Sequence, residues 1–377
     1  MANYLTLDDV EVEDLDVLVR SDLNVPLEEG TVGDDFRISA ALPTLERLVN
    51  SGARVTVCSH LGRPDGEDPA FSLRPVAERM NDLSSKDVAF GSGGQITVIE
   101  NTRFEQGESK NDPAYAAALA DDFDLFVQDA FGSVHRAHAS TVGVAELVKS
   151  VAGPLLDREL NALSRFLEDP VVPYVVVLGG AKVSDKLGVI EALLPKVDAM
   201  LIGGGMCFTL MKAKGIEIGE SMVEEDMVET VRALLEGSEG GKVILPSDVI
   251  VADRFAADAE HRQVYAKDIP QGWIGLDIGK ETAMLFESVI RTAETVFWNG
   301  PMGVFEWDAF RAGTEAVARA VVSTSAFTAV GGGDSVAALR EMGLDDAVSH
   351  LSTGGGAGLE FLEGRPLPGV DVLKRWV

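Results

Sequence analysis

The sequence of 377 residues predicts an α/β protein built from parallel sheets. Three observations carry that prediction. Short apolar runs recur along the chain, amphipathic segments separate them, and glycine-rich turns follow several of the runs. Near-continuous apolar runs suit parallel strands covered on both faces, and their alternation with helical patterns is the signature of βα units. At roughly 100–200 residues per domain, the length predicts two domains, or at most three, each long enough to bury its own core.

In the first half the predicted strands are LDVLV (15–19), RVTVCS (54–59), ITVIE (96–100) and DLFVQD (124–129). In the second they are YVVVLGG (174–180), AMLIGG (199–204), KVILPS (242–247), TVFWNG (295–300), AFTAVGG (326–332) and AVSHLS (347–352). ISAALPTLERLV and FRAGTEAVARAVV read as helices between them. Near mid-chain, LLDRELNALSRFLED places Leu156, Leu160, Leu163 and Leu167 on one helical face between Pro154 and Pro170. A helix connecting two sheets is expected there; the alternative is a crossover helix inside one large sheet. The predicted plan is a domain over 1–154, an interdomain helix over 155–169 and a second domain over 170–365. Each domain would be a doubly wound, Rossmann-like parallel sheet. The strand–glycine–helix unit has no fixed period, which excludes a solenoid.

Hydrophobic residues make up 46% and charged residues 25%, a composition that excludes a wholly disordered chain. With 61 acidic and 32 basic residues the net charge is −29. Such a surface repels nucleic acid and anionic membranes, so neither is an expected partner. The basic residues are 12 Lys and 20 Arg. A lysine-poor, acid-rich surface suits work in concentrated salt, where charges are screened over a few ångströms; an ordinary acidic cytosolic protein is the plainer reading. Cys58 and Cys207 stand 149 positions apart, so a reducing compartment and no structural disulfide are expected. MANYLTLDDVEVEDLDV has no apolar h-region, and no stretch reaches the ~20 apolar residues of a membrane span. A soluble, cytoplasmic protein is expected.

Cations collect just after the strands of the first half. Arg20 ends LDVLVR, with Asp22 and Asn24 following in SDLNVP, and Arg37 opens the first helix. His60 and Arg63 lie in SHLGRP, Arg103 follows ITVIEN, and DAFGSVHRAHAS supplies His135, Arg136 and His138. In open α/β sheets, ligands bind in the crevice at the carboxyl ends of the strands. Any one of these arginines alone reads as a surface ion pair, and His138 alone as a structural histidine. Recurring at one topological position, they predict a small ligand with more than one acidic group, because guanidinium forks match carboxylate and phosphate.

The second half repeats strand, glycine-rich turn and helix start: LGGAKVSDK (178–186), IGGGM (202–206), WNGPMG (298–303), VGGGDS (330–335) and STGGGAG (352–358). Glycine lets backbone N–H groups approach phosphate oxygens at a helix N-terminus. One such turn can simply be a tight connection; five in one half predict a nucleotide phosphate site. No GxxxxGK[ST] loop occurs, and no GxGxxG follows a strand, which disfavours P-loop NTPases and NAD-dependent dehydrogenases. Lys182 and Lys186, four apart at an expected helix start, would both face phosphates. Asp334 reads as an N-cap and as a hard oxygen ligand for Mg²⁺. Glu306 reads as a ribose ligand or as an ordinary solvent-exposed glutamate. An anion domain and a nucleotide domain joined by a helix describe a phosphoryl-transfer enzyme that closes over its substrates.

The ordered motifs VRSDLNVP, FRISAALPT, SHLGRP, ENTRFE, DAFGSVHRAH, GGAKVSDK, IGGGM, WNGPMGVFE, GGGDS and STGGGA resemble those of the phosphoglycerate kinase family over about residues 15–370. The resemblance implies reversible in-line phosphoryl exchange between 1,3-bisphosphoglycerate with Mg-ADP and 3-phosphoglycerate with Mg-ATP, without a covalent enzyme intermediate. It implies that Asp22, Asn24, Arg37, His60, Arg63, Arg103 and Arg136 hold the phosphoglycerate. Lys186, Gly204, Gly275, Asn299, Glu306, Gly332, Gly333, Asp334 and Ser335 would hold ADP or ATP, with Asp334 at the Mg²⁺. Arg37 and Lys182 would stabilise the transferring group from opposite sides. It also implies a monomer whose C-terminal segment, about 366–377, returns to the first domain. Ser21, Leu23, Thr102 and Gly358 depart from the usual family pattern, and none of them removes a charged or phosphate-facing group.

Overall fold

The computed structural model describes residues 4–377. It divides into two compact units, one running up to Asn161 and taking in Arg365–Val377, the other Ala162–Gly364. Among the described residues no helix is long and apolar enough to cross a membrane.

In the first unit β1 (Asp16–Arg20) is followed by a two-stranded antiparallel ribbon, β2 (Leu27–Glu28) with β3 (Thr31–Val32). Then come β4 (Arg54–Cys58), β5 (Val88–Phe90), β6 (Ile96–Val98), β7 (Leu125–Gln128) and β8 (Ser150–Ala152). All but the ribbon form one parallel sheet in the order β5-β6-β4-β1-β7-β8. The runs are apolar because both faces are covered. Val17, Val19, Val55, Val57, Val98 and Val127 pack with Ile38, Leu45 and Leu48 of the helix Phe36–Asn50 and with Val76 and Met80 of the helix Arg74–Leu83. Each such side chain, fully buried, contributes roughly 1.5–3 kcal/mol.

The second unit holds β9 (Tyr174–Leu178), β10 (Ala199–Ile202) and β11 (Val243–Ile244), then β12 (Asp248–Ala252), β13 (His261–Tyr265) and β14 (Ile274–Ile278), and finally β15 (Thr295–Asn299), β16 (Phe327–Gly331) and β17 (His350–Leu351). A parallel sheet runs β11-β10-β9-β15-β16-β17, and β13-β12-β14 form a separate antiparallel sheet. Trp298, Val175, Val177, Leu201 and Val330 pack with Phe286 and Ile290 of the helix Lys280–Ile290 and with Val317 and Val321 of the helix Ala312–Ser323.

Several elements depart from the sequence reading. β5 and β8 were not anticipated; each is a three-residue edge strand, too short for an apolar run to stand out. The antiparallel sheet was also missed, because β13 reads HRQVY and is largely exposed. The mid-chain helix spans Pro154–Ser164 and stops short of residue 169. Past Ser164 the N–H groups of Phe166 and Leu167 donate three residues back, to Leu163 O at 3.1 Å and Ser164 O at 3.0 Å. This tightening seats the fully buried Phe166 among the rings of Tyr174, Phe297 and Phe327, with centroids 5.9, 5.5 and 5.7 Å away. Leu167, expected on the buried face, is left half-buried. Asp169, just before Pro170, takes a left-handed φ of 51°.

That helix begins on a buried carboxylate. Asp129 Oδ1 accepts the N–H groups of Leu155 at 2.8 Å and Leu156 at 3.1 Å. A Cβ on Gly153 would stand 2.2 Å from that oxygen, so only glycine leaves the cap room. Burial pushes the Asp129 carboxyl up to about 6. The folded state therefore favours the protonated form: Asp129's contribution is complete below the unfolded pKa of about 4 and is lost as pH rises through 6. Asp129→Asn keeps an acceptor and removes the titration. Urea unfolding of wild type and variant between pH 4 and 7 should show the wild type losing up to about 3 kcal/mol relative to the variant as pH rises. Parallel pH profiles would show that Asp129 does not titrate in this range.

Candidate active site

The first unit's cations stand beyond the carboxyl ends of β1, β4, β6 and β7, and local hydrogen bonds fix them there. Asn24 Oδ1 accepts the Gly62 N–H at 2.8 Å, joining the loop after β1 to the loop after β4. Arg37, in the first turn of its helix, donates from Nη1 to Asn24 O at 2.5 Å and lies 3.9 Å from the Asp22 carboxylate. Arg103 donates to Gly62 O. Asn101 ties the same loops together: its Oδ1 accepts from Leu61 N at 3.2 Å and Arg103 N at 3.0 Å, and its Nδ2 donates to Leu61 O at 2.8 Å. Arg63, Arg103, Lys110, Arg136 and His138 line one open cleft of about 620 Å³.

Beneath the cleft lies a buried polar chain. Arg20 is 1% exposed; its Nε donates to Ser140 Oγ at 2.9 Å and its Nη2 to His60 Nδ1 at 2.9 Å. Ser140 Oγ donates to Glu108 Oε1 at 2.6 Å, and Ser140 N–H to Oε2 at 3.0 Å. Burial, then the neighbouring Arg20, Arg103 and Arg136, hold His60 well below its ordinary pKa. Burial and the Arg136 and Arg20 charges bring even the Arg103 guanidinium down to about 10. His138 is also lowered, chiefly by burial, with Glu108 opposing. Cations this crowded destabilise one another, and a dianion among them relieves the repulsion. Of these residues the sequence singled out Arg20 and the histidines, while Glu108, Ser140 and Asn101 were missed. A glutamate in EQGESK has no sequence mark separating it from its exposed neighbours.

In the second unit the glycine turns interlock. Gly204 N–H donates to Met302 O at 3.0 Å, and Gly180 N–H to Pro301 O at 3.0 Å, so the turns after β9, β10 and β15 brace one another. Gly204 has φ +65°, and a Cβ there would meet Gly180 N at 2.5 Å. The buried Asn299 accepts from Lys186 Nζ, and Ser335 Oγ accepts the Gly300 N–H at 2.6 Å. Burial lowers the Lys186 amine, with Asp185 and Asp334 opposing. Gly275 lies on β14, where its N–H donates to Ser221 Oγ at 2.9 Å and a Cβ would overlap the Phe208 ring at 1.9 Å. Glu306 is exposed.

Two local readings are corrected. The helix expected to begin near Lys182 spans Leu187–Leu193, with Lys186 as its N-cap and Lys182 exposed in the preceding turn. Asp334 is not an N-cap. Gly332, at φ +90°, takes that place, and Asp334 stands exposed in the first turn of the helix Gly333–Glu341. The chain must reverse sharply out of β16, and only glycine does so without strain.

A family model described as phosphoglycerate kinase matches residues 7–365. The chain belongs to the phosphoglycerate kinase family. A phosphoglycerate kinase of Salinispora arenicola (strain CNS-205) is 54% identical over 398 residues, covering 99% of this chain and 100% of that protein. One from Rubrobacter xylanophilus is 53% identical, covering 97% of each. The structure of phosphoglycerate kinase from Coxiella burnetii matches with a TM-score of 0.88 at 41% identity over 99% of both chains. That from Pyrococcus horikoshii OT3 also scores 0.88, at 29% identity over 99% of this chain and 100% of the other. Apart from FRISAALPT, which opens the helix Phe36–Asn50, the phosphoglycerate kinase motifs noted in the sequence fall on two sets of strand ends.

The turn after β16 is testable through its glycines. At Gly332 the left-handed φ strains any side chain, and a Cβ would press on Asn299 Nδ2 at 3.1 Å. Gly332→Ala should cost about 1–3 kcal/mol. Nothing lies within 4 Å of a Cβ at Gly333, whose φ is unstrained. Gly333→Ala should therefore be neutral or stabilising by up to about 1 kcal/mol. Urea midpoints of the two variants decide it; equal losses would contradict the geometry.

Proposed function

We propose that this protein is a phosphoglycerate kinase of glycolysis and gluconeogenesis, transferring a phosphoryl group reversibly between 1,3-bisphosphoglycerate with Mg-ADP and 3-phosphoglycerate with Mg-ATP. The observation that carries the reading is the division of labour within a chain of this family. One unit gathers Arg63, Arg103, Arg136 and His138 around a cleft, and the other braces glycine turns at the carboxyl ends of its strands.

In the forward direction of ATP use, a carboxylate oxygen of 3-phosphoglycerate attacks the γ-phosphorus. The bond from that phosphorus to the bridging oxygen breaks, and ADP leaves with the electron pair. Asp22, Asn24, Arg37, His60, Arg63, Arg103 and Arg136 hold the phosphoglycerate. Lys186, Gly204, Gly275, Asn299, Glu306 and the Gly332–Ser335 turn hold the nucleotide. Arg37 and Lys182 answer the charge on the transferring group, the larger part of catalysis in a reaction with little covalent chemistry for the protein to perform. Hinge closure of the two units brings the substrates in line and excludes water.

The donor set fits Mg²⁺. Among the described residues no three His, Cys, Asp or Glu side chains form a cage, and Asp334 offers one exposed carboxylate at a helix start. Mg²⁺ is characteristically held by one or two carboxylates together with substrate phosphates and water. Asp334 would hold it, and the ion would neutralise charge on the nucleotide phosphates. The protein works as a cytoplasmic monomer, and the charge of −29 is an adaptation to concentrated salt.

Acyl-phosphate formation from ATP, Mg²⁺ and 3-phosphoglycerate, assayed in dilute buffer and in multimolar KCl, tests these readings together. Turnover dependent on high salt supports both. Turnover in both media keeps the kinase and removes the salt adaptation. No turnover from folded protein in either medium overturns the function. Lys182→Ala should lower kcat roughly 10²–10³-fold, with both KM values changed only a few-fold, because its contact strengthens in the transition state. Equal losses in KM and kcat would assign Lys182 to ground-state binding.

A further inference from the structure

We propose that Glu108 is a positioning residue for the phosphoglycerate site: through the Ser140 hydroxyl it orients Arg20, and Arg20 in turn fixes the His60 tautomer that presents an N–H to the substrate. The inference rests on the kinase reading for its substrate, but its geometry stands independently.

Four contacts make the chain, and the direction of every proton in it is determined. The Glu108 carboxylate has no exposure to solvent. It accepts at Oε1 from Ser140 Oγ at 2.6 Å and at Oε2 from Ser140 N at 3.0 Å. Having donated its proton, the Ser140 oxygen can only accept from Arg20 Nε, 2.9 Å away. Arginine carries donors alone, so His60 Nδ1, 2.9 Å from Arg20 Nη2, must be the unprotonated nitrogen. The His60 proton therefore resides on Nε2, the ring atom with no hydrogen bond to the protein among the described residues. Burial and the surrounding arginines keep the ring neutral, which preserves that single tautomer.

Glu108 also braces the loop that carries Arg136. Its carbonyl accepts the Ala139 N–H at 2.9 Å, and its carboxylate lies 3.7 Å from His138 Nδ1. It is thus a fully buried carboxylate beside Arg103 and His138, joined to Arg20 through Ser140. An anion at the rear of an anion site weakens substrate binding if it acts only through its field. Positioning predicts the opposite sign for its removal, and this separates the two roles.

The test uses the full-length enzyme. Glu108→Gln should raise the KM for 3-phosphoglycerate roughly 10-fold or more, as expected for loss of an outer partner that orients a ligand-binding group, and leave the KM for ATP unchanged. A purely electrostatic role predicts a lower KM for 3-phosphoglycerate, and a purely structural one predicts lost folding with no selective change. Ser140→Ala keeps the Glu108 charge and breaks only the relay, and should reproduce the selective rise. Nitrogen-15 NMR of the His60 ring provides a readout free of turnover. Wild type should show Nε2 protonated and Nδ1 as an acceptor, and Ser140→Ala a mixture of tautomers. Should the wild type be inactive, the kinase reading fails while the NMR still decides the relay. An unchanged tautomer in Ser140→Ala, or an unchanged or lowered KM for 3-phosphoglycerate in Glu108→Gln, overturns the proposal.

Discussion

A parallel sheet whose strands are buried on both faces leaves chemistry only the ends of those strands, and nearly everything at the candidate site follows from that constraint. In the first unit Arg20 pairs in register with Cys58 on one side and Gln128 on the other. The loops after β1, β4 and β7 therefore leave the sheet at one level, and their polar groups meet. In the second unit Asn299 is in register with Leu178 and Gly331, and Ile202 with Leu178. Gly179, Gly203, Gly300 and Gly332 each follow a strand at that common edge. The interlocking of these turns is a consequence of register before it is a property of any one loop.

Within that frame the two units present different physical means at their strand ends. The first uses side-chain charge. Buried and half-buried cations repel one another, and the depressed values of Arg103 and His60 record the cost. Arg20, 1% exposed, would be untenable without a counter-charge, and the fold supplies Glu108 through Ser140 rather than by direct pairing. Indirect pairing leaves the guanidinium's far end free to orient His60. The second unit uses backbone dipoles. Glycines at positive φ, such as Gly204 and Gly332, allow main-chain amides to approach closely where any side chain would intrude. Lys186 is a half-buried amine there, and Asn299 accepts a hydrogen bond from it.

How much of this was legible in the sequence depended on whether the signal was local. Apolar runs such as YVVVL and TVFWN announce central strands, because burial on both faces leaves no room for polar residues. Edge strands β5 and β8 carry no such signature because each is only three residues long, and β13 carries none because it is largely exposed. The mid-chain helix was visible from its leucines, but its end was not. Phe166 stops it by seeking the rings of Tyr174, Phe297 and Phe327, and two of those lie more than a hundred residues away. Among site residues, the arginines were legible because cations stand out in an acidic chain. Glu108 was illegible for the converse reason: one acid among 61 acidic residues is distinguished only by where the fold buries it.

The contrast between overall and local charge has a physical consequence. A net charge of −29 raises a barrier to anionic substrates at long range, and the cation cluster attracts them at short range. Added salt acts unequally on the two. Exposed charges are screened beyond a Debye length, about 8 Å at physiological ionic strength and about 3 Å at 1 M, whereas buried pairs are screened far less. Arg20 and Glu108 are buried, and Arg103 is half-buried, while most of the acidic residues are on the surface. Concentrated salt therefore removes the repulsive field before it weakens the contacts that hold a ligand. Placing the cations in the sheet's crevice lets one chain of net charge −29 keep a local cluster of positive charge.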